Sequence, residues 1–414
     1  MFRFPALVVA CAFFVACSNS NGSSITSVPA SSAARAPGLN TRAIDRIINT
    51  GNPQHFGISL AIYKNGALLY QHGYGFRDFG LRRNTFAGSN GWYIRQPSQI
   101  FHLKRGRFAP GANAIFDLGS VSKEFTGGAI LLLQQDGKLS VNDKLSKYFP
   151  SIQDAAEIPL LYLLQHRTGF VDYNGGTGDV NVNAAYNAFM ASGQKNYGTI
   201  VDHFVKLPSE FVRDPVQNPP GSYYYYSNTD YLFLGMIVAR VSRETLGDFL
   251  QQRIFGPLGM NATHQGYPPK PVDDFSLGYQ AGGPSVYRAW QWNLAWLAGP
   301  GGLTSAPGDI EKWDLAVHTP GKIYTKASLK QMFTTNPLSE NYADGWVVTK
   351  LDGHRFVWHN GEVGGYQTMN ATFPNDGIDI VILTNNGSDT PGIYGYGFPY
   401  DFVPQLFPVV LAAR

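Results

Sequence analysis

The sequence predicts an α+β fold: one antiparallel sheet flanked by helices, with an all-helical subdomain inserted between the sheet's two halves. Two observations carry this. Residues with strand character cluster at both ends, in "FGISLAIYKNGALLYQHGYG" and in the last third from "YADGWVVTKLDGHRFVWHNG" onward. Apolar runs of helical length fill the middle. The division expected is an α/β part at about 38–120 and 300–414 around a helical part at about 121–299.

Taken in order, "TRAIDRIINTG" places apolar residues at helical spacing and ends on Gly51, a helix stop. Lys64-Asn65-Gly66 then separates two strand-like runs, and Asn-Gly is a strong hairpin signal. The run from Ser120 to Gly137 is apolar almost throughout and predicts a buried central helix. "IPLLYLLQHRTGF" predicts a second buried helix, ending at Gly169, before a Gly/Asn-rich loop at 174–183. Residues 229–242 and 246–260 predict a helical pair. In the last third, Asp352-Gly353 and Asn375-Asp376-Gly377 mark hairpin turns.

Composition narrows the function. The chain has 414 residues, 44% hydrophobic and 15% charged, which suits an ordered globular protein. A formal net charge of +3 is too small and too evenly spread for a nucleic-acid binder. Both cysteines, Cys11 and Cys17, lie near the N-terminus, so the rest of the chain holds neither disulfides nor cysteine metal sites. Arg3 precedes an apolar run from Phe4 to Ala16, which is the pattern of a secretory signal. The run ends in "FVAC", so residues 1–17 predict a lipoprotein-type signal with Cys17 lipidated; ordinary secretion and an uncleaved segment are the alternatives. Residues 18–37 read as a flexible tether. The expected protein is exported, monomeric and attached to the membrane only through that lipid.

Three short motifs carry possible chemistry. Ser120 and Lys123 are three residues apart at a helix start, so their side chains share a face. A serine hydroxyl needs a base to become a nucleophile, and a buried lysine of lowered pKa is one such base. A helix cap followed by a surface charge explains the same letters. Tyr226-Ser227-Asn228 begins on the last of four tyrosines, "YYYY", of which Tyr223, Tyr224 and Tyr225 suit packing. A tyrosine there can relay a proton, and an asparagine amide can hold a carbonyl. In His359-Asn360-Gly361, the glycine lets a substrate approach a strand edge, where the Glu362 N–H and the Ser120 N–H would form an oxyanion hole.

In this order the motifs resemble those of the serine β-lactamase and penicillin-binding protein superfamily: Ser-x-x-Lys, Tyr-x-Asn and Lys/His-x-Gly. The likeness is to its class C-like branch, with D-Ala-D-Ala carboxypeptidases, esterases and D-aminopeptidases. It extends through "FDLGSVSKEFTGGAILLLQQDGKLSVNDKLSKYFP", "PPGSYYYYSNTDYLFLGMIVARVS" and "GPGGLTSAPGDIEKW", from about residue 56 to 386. The resemblance implies a β-lactamase/transpeptidase-like fold with Ser120 as the acylated nucleophile. It implies Lys123 and Tyr226 as base and proton relay, and Asn228 as a contact to the substrate amide. His359 stands where the family has a lysine, which weakens the expectation of lactam hydrolysis. No Ser-Asp-Asn motif lies between Ser120 and His359, against a class A mechanism.

The segment Phe79–Pro110 is longer than expected. It carries Arg82, Arg83, Arg95, Lys104, Arg105 and Arg107 among aromatics, and reads as a solvated hairpin or a cover over the site. Trp290, Trp292 and Trp296 suit either core packing or an apolar acyl pocket. His166 reads as structural. No Gly-x-Ser-x-Gly elbow, His-Glu-x-x-His, Gly-x-Gly-x-x-Gly or Walker run occurs, so no metal or cofactor is expected. The function expected is hydrolysis of an ester, a D-amino-acid peptide or a β-lactam through an acyl-enzyme. A non-catalytic protein that binds peptidoglycan peptides or a partner is the alternative.

Overall fold

The computed structural model describes residues 34–35, 38–79, 93–94, 109–152, 154–170, 172–173, 219–269, 272, 274–282, 285–289, 291–292, 294–387 and 398–413. The signal segment with Cys17, most of the tether, the Gly/Asn-rich loop and Trp290 lie outside the described residues.

Seven strands form one antiparallel sheet from the two ends of the chain. They are β1 (Ala34–Arg35), β2 (Ile58–Lys64), β3 (Ala67–Tyr74), β4 (Val347–Leu351), β5 (His354–Val363), β6 (Tyr366–Phe373) and β7 (Ile378–Thr384). Their order is β1-β3-β2-β7-β6-β5-β4, so the N-terminal hairpin joins the C-terminal meander where β2 pairs with β7. Ala34–Arg35, within the stretch read as tether, pairs with Tyr70 and Gln71. Two of the three expected hairpin turns have positive φ at two successive residues: Asn65 at 52° with Gly66 at 75°, and Asp352 at 50° with Gly353 at 87°. That geometry matches strand twist, which is why Asn-Gly and Asp-Gly stand there.

The sheet is covered on both faces. Ile378, Ile380 and Ile382 of β7 face one core with Ile44 and Ile48 of α1 (Thr41–Gly51) and with Phe407. Val381 and Leu383 face the other core. Alternation along a strand sends odd and even positions to opposite faces, so a strand buried on both reads as an unbroken apolar run. The second core is built on α2 (Ser122–Gln135), with α3 (Asn228–Ser242) and α4 (Pro307–His318).

Two sequence expectations change. The central helix does not start at Ser120: Gly119–Val121 form a 3₁₀ turn and the α-helix follows from Ser122. The helix expected to reach Gly169 stops early, covering only Leu160–Leu164. His166 adopts a left-handed φ of 52°, which ends the helix, and residues 165–170 and 172–173 lie outside any helix or strand. Of the tryptophans singled out, Trp296 is fully buried in the helical core. In the long segment before the central helix, Tyr93–Ile94 pairs with Gln291–Trp292; most of the remainder lies outside the described residues.

Candidate active site

The site forms where the 3₁₀ turn meets β5. Gly119 has φ of 54°, and a Cβ there would stand 2.7 Å from the Glu362 nitrogen. At Gly361 a Cβ would overlap the Leu118 carbonyl oxygen, which also accepts a 2.7 Å bond from Thr368 Oγ1. Both glycines are therefore required by close approach, one also by its backbone conformation. Pairing between β4 and β5 runs only from Leu351–His354 to Val347–Trp358. From His359 to Val363, β5 pairs with β6 alone, so this half is locally the sheet edge, and the 3₁₀ turn that carries Ser120 abuts it.

Lys123 is fully buried. Its Nζ donates to Ser120 Oγ at 2.9 Å, Asn228 Oδ1 at 2.7 Å and the Pro300 carbonyl at 2.8 Å. It also stands 4.7 Å from the centre of the Tyr226 ring. Burial lowers its pKa to about 7, against an opposing pull led by the carboxylate of Asp172. The amine is therefore substantially unprotonated at neutral pH; with two N–H groups left for Asn228 and Pro300, its lone pair then accepts from the Ser120 hydroxyl instead of donating to it. Tyr226 is hydrogen-bonded to Ser120, and burial raises its phenol well above the ordinary value. Ser122, the other serine of the motif, accepts from the Leu303 N–H at 3.1 Å and takes no part in this cluster.

Asn228 opens α3, one residue after Ser227, whose side chain caps the helix by accepting from Thr229 N. Both ends of its amide are engaged. Oδ1 accepts from Lys123, while Nδ2 donates to Asp172 Oδ2 at 2.8 Å.

His359 is buried, and burial together with the charge of Lys123 lowers its pKa to about 3. A solvated histidine is partly charged at neutral pH, but this ring is neutral because water cannot solvate an imidazolium there. Its Nδ1–H donates to the Asn360 carbonyl at 2.5 Å, so Nε2 accepts from Tyr342 Oη at 2.8 Å. His166 is structural in the sense expected, yet it borders the site. Its ring lies 4.4 Å from that of Tyr226 and 4.6 Å from that of Tyr342. Its Nδ1 accepts from Ser227 N and lies 3.0 Å from Asp230 Oδ2. An accepting Nδ1 requires Asp230 to hold the proton, in keeping with the upward shift that burial gives this carboxyl.

Thus Ser120, Lys123, Tyr226 and Asn228 come together, with Gly361 and Glu362 against the turn that carries Ser120 and His359 behind Tyr342. Sequence reasoning missed Asp172, Asp230, Tyr342 and the Pro300 carbonyl. Asp172 sits three residues past Gly169, in a stretch without motif character, and only the early helix end brings it here. Among the described residues no group of three or more His, Cys, Asp or Glu side chains is arranged to hold a metal.

The sheet, the helical core and this seryl–lysyl–tyrosyl cluster define a class, and comparison with known proteins agrees. Residues 44–394 match the Beta-lactamase family, and the chain belongs to it. That places it in the superfamily of serine hydrolases that holds β-lactamases and penicillin-binding proteins. It is 25% identical over 370 residues to penicillin-binding protein 4* of Bacillus subtilis (strain 168), covering 82% of this chain and 70% of that one. A solved D-amino acid amidase from Ochrobactrum anthropi SV3, complexed with D-phenylalanine, superposes with a TM-score of 0.70. It is 22% identical, over 90% of this chain and 99% of that one. An octameric penicillin-binding protein homologue from Pyrococcus abyssi gives 0.68 at 21% identity, over 91% and 78% of the two chains. These structural likenesses bear on the fold.

Proposed function

We propose that the protein hydrolyses esters or D-amino-acid amides and peptides through an acyl-enzyme on Ser120. The observation that carries this is the buried Lys123 amine, 2.9 Å from Ser120 Oγ, with its pKa brought to about 7. Ser120 Oγ attacks the substrate carbonyl while Lys123 and Tyr226 take its proton. The oxyanion is held by the N–H groups of Ser120 and Glu362. The proton passes to the leaving alcohol or amine, the carbon–leaving-group bond breaks, and an acyl ester remains on Ser120. Water, deprotonated by the same pair, attacks that ester and frees the acid. Asn228 presents its remaining amide N–H to the substrate. No metal or cofactor is needed for these steps.

Substrate preference follows from charge. A lactam carboxylate is gripped best by a cation, and the neutral His359 provides none. Ester and amide substrates without a carboxylate beside the scissile bond suit this site better than lactams. We also infer that the chain is exported, is lipid-anchored at Cys17 and acts as a monomer; labelling with a radioactive fatty acid in cells, lost in Cys17→Ser, tests the anchor.

The catalytic reading is tested by mass spectrometry after exposure to a fluorophosphonate and, separately, to a penicillin, alongside turnover of a nitrophenyl ester and a chromogenic lactam. An adduct on Ser120 with ester turnover is expected. Rapid lactam turnover would overturn the substrate preference. Folded protein that takes no adduct from either reagent would favour the non-catalytic binding protein.

A further inference from the structure

We propose that Asp172 is a positioning residue for Lys123: its carboxylate fixes the flip of the Asn228 amide and is the anion that faces the buried amine. The inference rests on the acyl-transfer reading but concerns a residue that none of the three motifs contains.

The geometry is specific. Asp172 Oδ2 accepts from both Asn228 Nδ2, at 2.8 Å, and the Asn228 backbone N–H, at 3.2 Å. A carboxylate only accepts, so the amide end beside Asp172 must be the NH₂. The oxygen is thereby turned to Lys123, where it accepts at 2.7 Å. With the amide reversed, oxygen would confront the carboxylate, and NH₂ would confront the ammonium or, once that has lost its proton, occupy the lone pair that must take the serine proton. The pocket thus has its polarity set from outside, by one carboxylate.

The groups around the Lys123 amine come from every neighbouring element. Ser120 lies on its own turn, and Tyr226, Asn228, Asp230 and Tyr231 lie at or just before α3. His166 and Asp172 come from the loop after the short helix, and His359 from β5. Glu124, the next residue, bonds Trp313 and Asn370 instead. His166 and His359 are neutral, since burial lowers both their pKa values. Asp230 holds its proton against His166. Asp172, half-buried, is left as the carboxylate whose charge reaches the amine and favours its protonated form. It therefore sets the pH at which the base becomes available, as well as where the base points.

Three proteins separate these effects: wild type, Asp172→Asn and Asp172→Ala. The rate of Ser120 labelling by a fluorophosphonate, read by mass spectrometry from pH 5 to 9, needs no knowledge of the natural substrate. In that reaction Oγ bonds phosphorus, fluoride leaves and the serine proton goes to the base. Asp172→Asn keeps an acceptor for Nδ2 but removes the charge. It should move the acidic limb down by about half a pH unit or more and leave the plateau within about threefold of wild type. Asp172→Ala should move the limb likewise and lower the plateau about tenfold, because the amide is free to turn. An unmoved limb in Asp172→Asn, or equal plateaus in the two variants, overturns the proposal. Should Asp172→Ala not fold, Asn228→Ala serves in its place: adding Asp172→Asn to it should still move the limb but leave its plateau unchanged, and any further fall in plateau overturns the proposal. Wild type that is never labelled at Ser120 defeats the acyl-transfer reading itself, whereas labelled wild type with an unmoved limb defeats only the role of Asp172.

Discussion

Lys123 and Glu124 are neighbours in the chain, both fully buried on one helix, and they point about 100° apart around it, toward different partners. Lys123 faces the nucleophile turn. Glu124 faces a nest of other carboxyls, bonding Asn370 Nδ2 at 3.0 Å and Trp313 Nε1 at 2.9 Å, with Asp314 sharing the same Asn370 amide. Burial does the same thing to both, since it disfavours the charged form. Lysine is driven to the free amine, and Glu124 and Asp314 are driven up toward the protonated acid, first by desolvation. The outcomes differ because of what stands beside them. A neutral amine 2.9 Å from a hydroxyl is a base. A protonated carboxyl among amide and indole donors is a piece of core. Loss of charge by burial is therefore not itself a sign of function; the partner decides.

The largest effects should come from removing the Lys123 side of this pair. Ser120→Ala and Lys123→Ala should each lower ester turnover by about 10³-fold or more; the thermal midpoint should change little in Ser120→Ala and fall in Lys123→Ala, which leaves the Asn228 and Pro300 acceptors without their donor. If Lys123→Ala keeps activity near wild type, the base is misassigned. Gly361→Ala should come next, with a loss of about 10²-fold. Its Cβ must push β5 away from the Leu118 carbonyl and so from the turn that carries Ser120. Wild-type turnover in that variant would show that the approach of β5 to the nucleophile is not needed.

On the other side, Glu124→Ala should cost stability, by about 3 kcal/mol, because it leaves the Asn370 and Trp313 donors unpaired beside a cavity. Denaturant unfolding measures it, and turnover of the remaining folded protein should be near normal. A selective loss of activity without loss of stability would contradict the contrast drawn between the two residues.

pH separates the two sides in opposite senses. Activity should rise about tenfold per unit as pH climbs toward about 7, as Lys123 loses its proton. Stability should fall over the pH 6.5–8 range. Burial raises Asp117 to about 8 and Glu311 to about 10, and raises Glu124 and Asp314 as well. Such acids stabilise the fold fully below their unfolded pKa near 4, and lose that contribution as pH rises toward the folded value. Lys123, its pKa lowered, acts the other way between about 7 and its ordinary 10.5, but it is outnumbered. The thermal midpoint should therefore be lower at pH 8 than at pH 6.5, and Glu124→Gln should flatten the decline. A midpoint that rises over this range would show that these carboxyls are ionised in the fold. The smallest effect belongs to Ser122→Ala, which removes one bond to the Leu303 N–H. It should lower stability by about 1 kcal/mol and leave turnover within about threefold. Loss equal to that of Ser120→Ala would mean the wrong serine has been taken as the nucleophile.

Much of the fold was legible because its signals are local. Asn65-Gly66 and Asp352-Gly353 specify their turns by φ, and the apolar run after Ser120 can only be a buried helix. Ser120 and Lys123 share a face by helical spacing alone. The helix expected to reach Gly169 was misjudged because its apolar letters extend beyond the point where His166 turns left-handed. That early stop serves tertiary contacts, the bonds of His166 and Thr168 to Asp230, which no local pattern announces.

By itself, then, the sequence determined the α+β class, the turn sites, the central helix and the three motifs, because each depends on residues within a few positions of one another. Only the tertiary structure decided that β5 loses its β4 partner at His359 and lies against Gly119, that His359 is neutral, and that Asp172 orients Asn228. These depend on burial and on partners far apart in the chain. Desolvation and hydrogen-bond polarity belong to the packed assembly rather than to any stretch of letters.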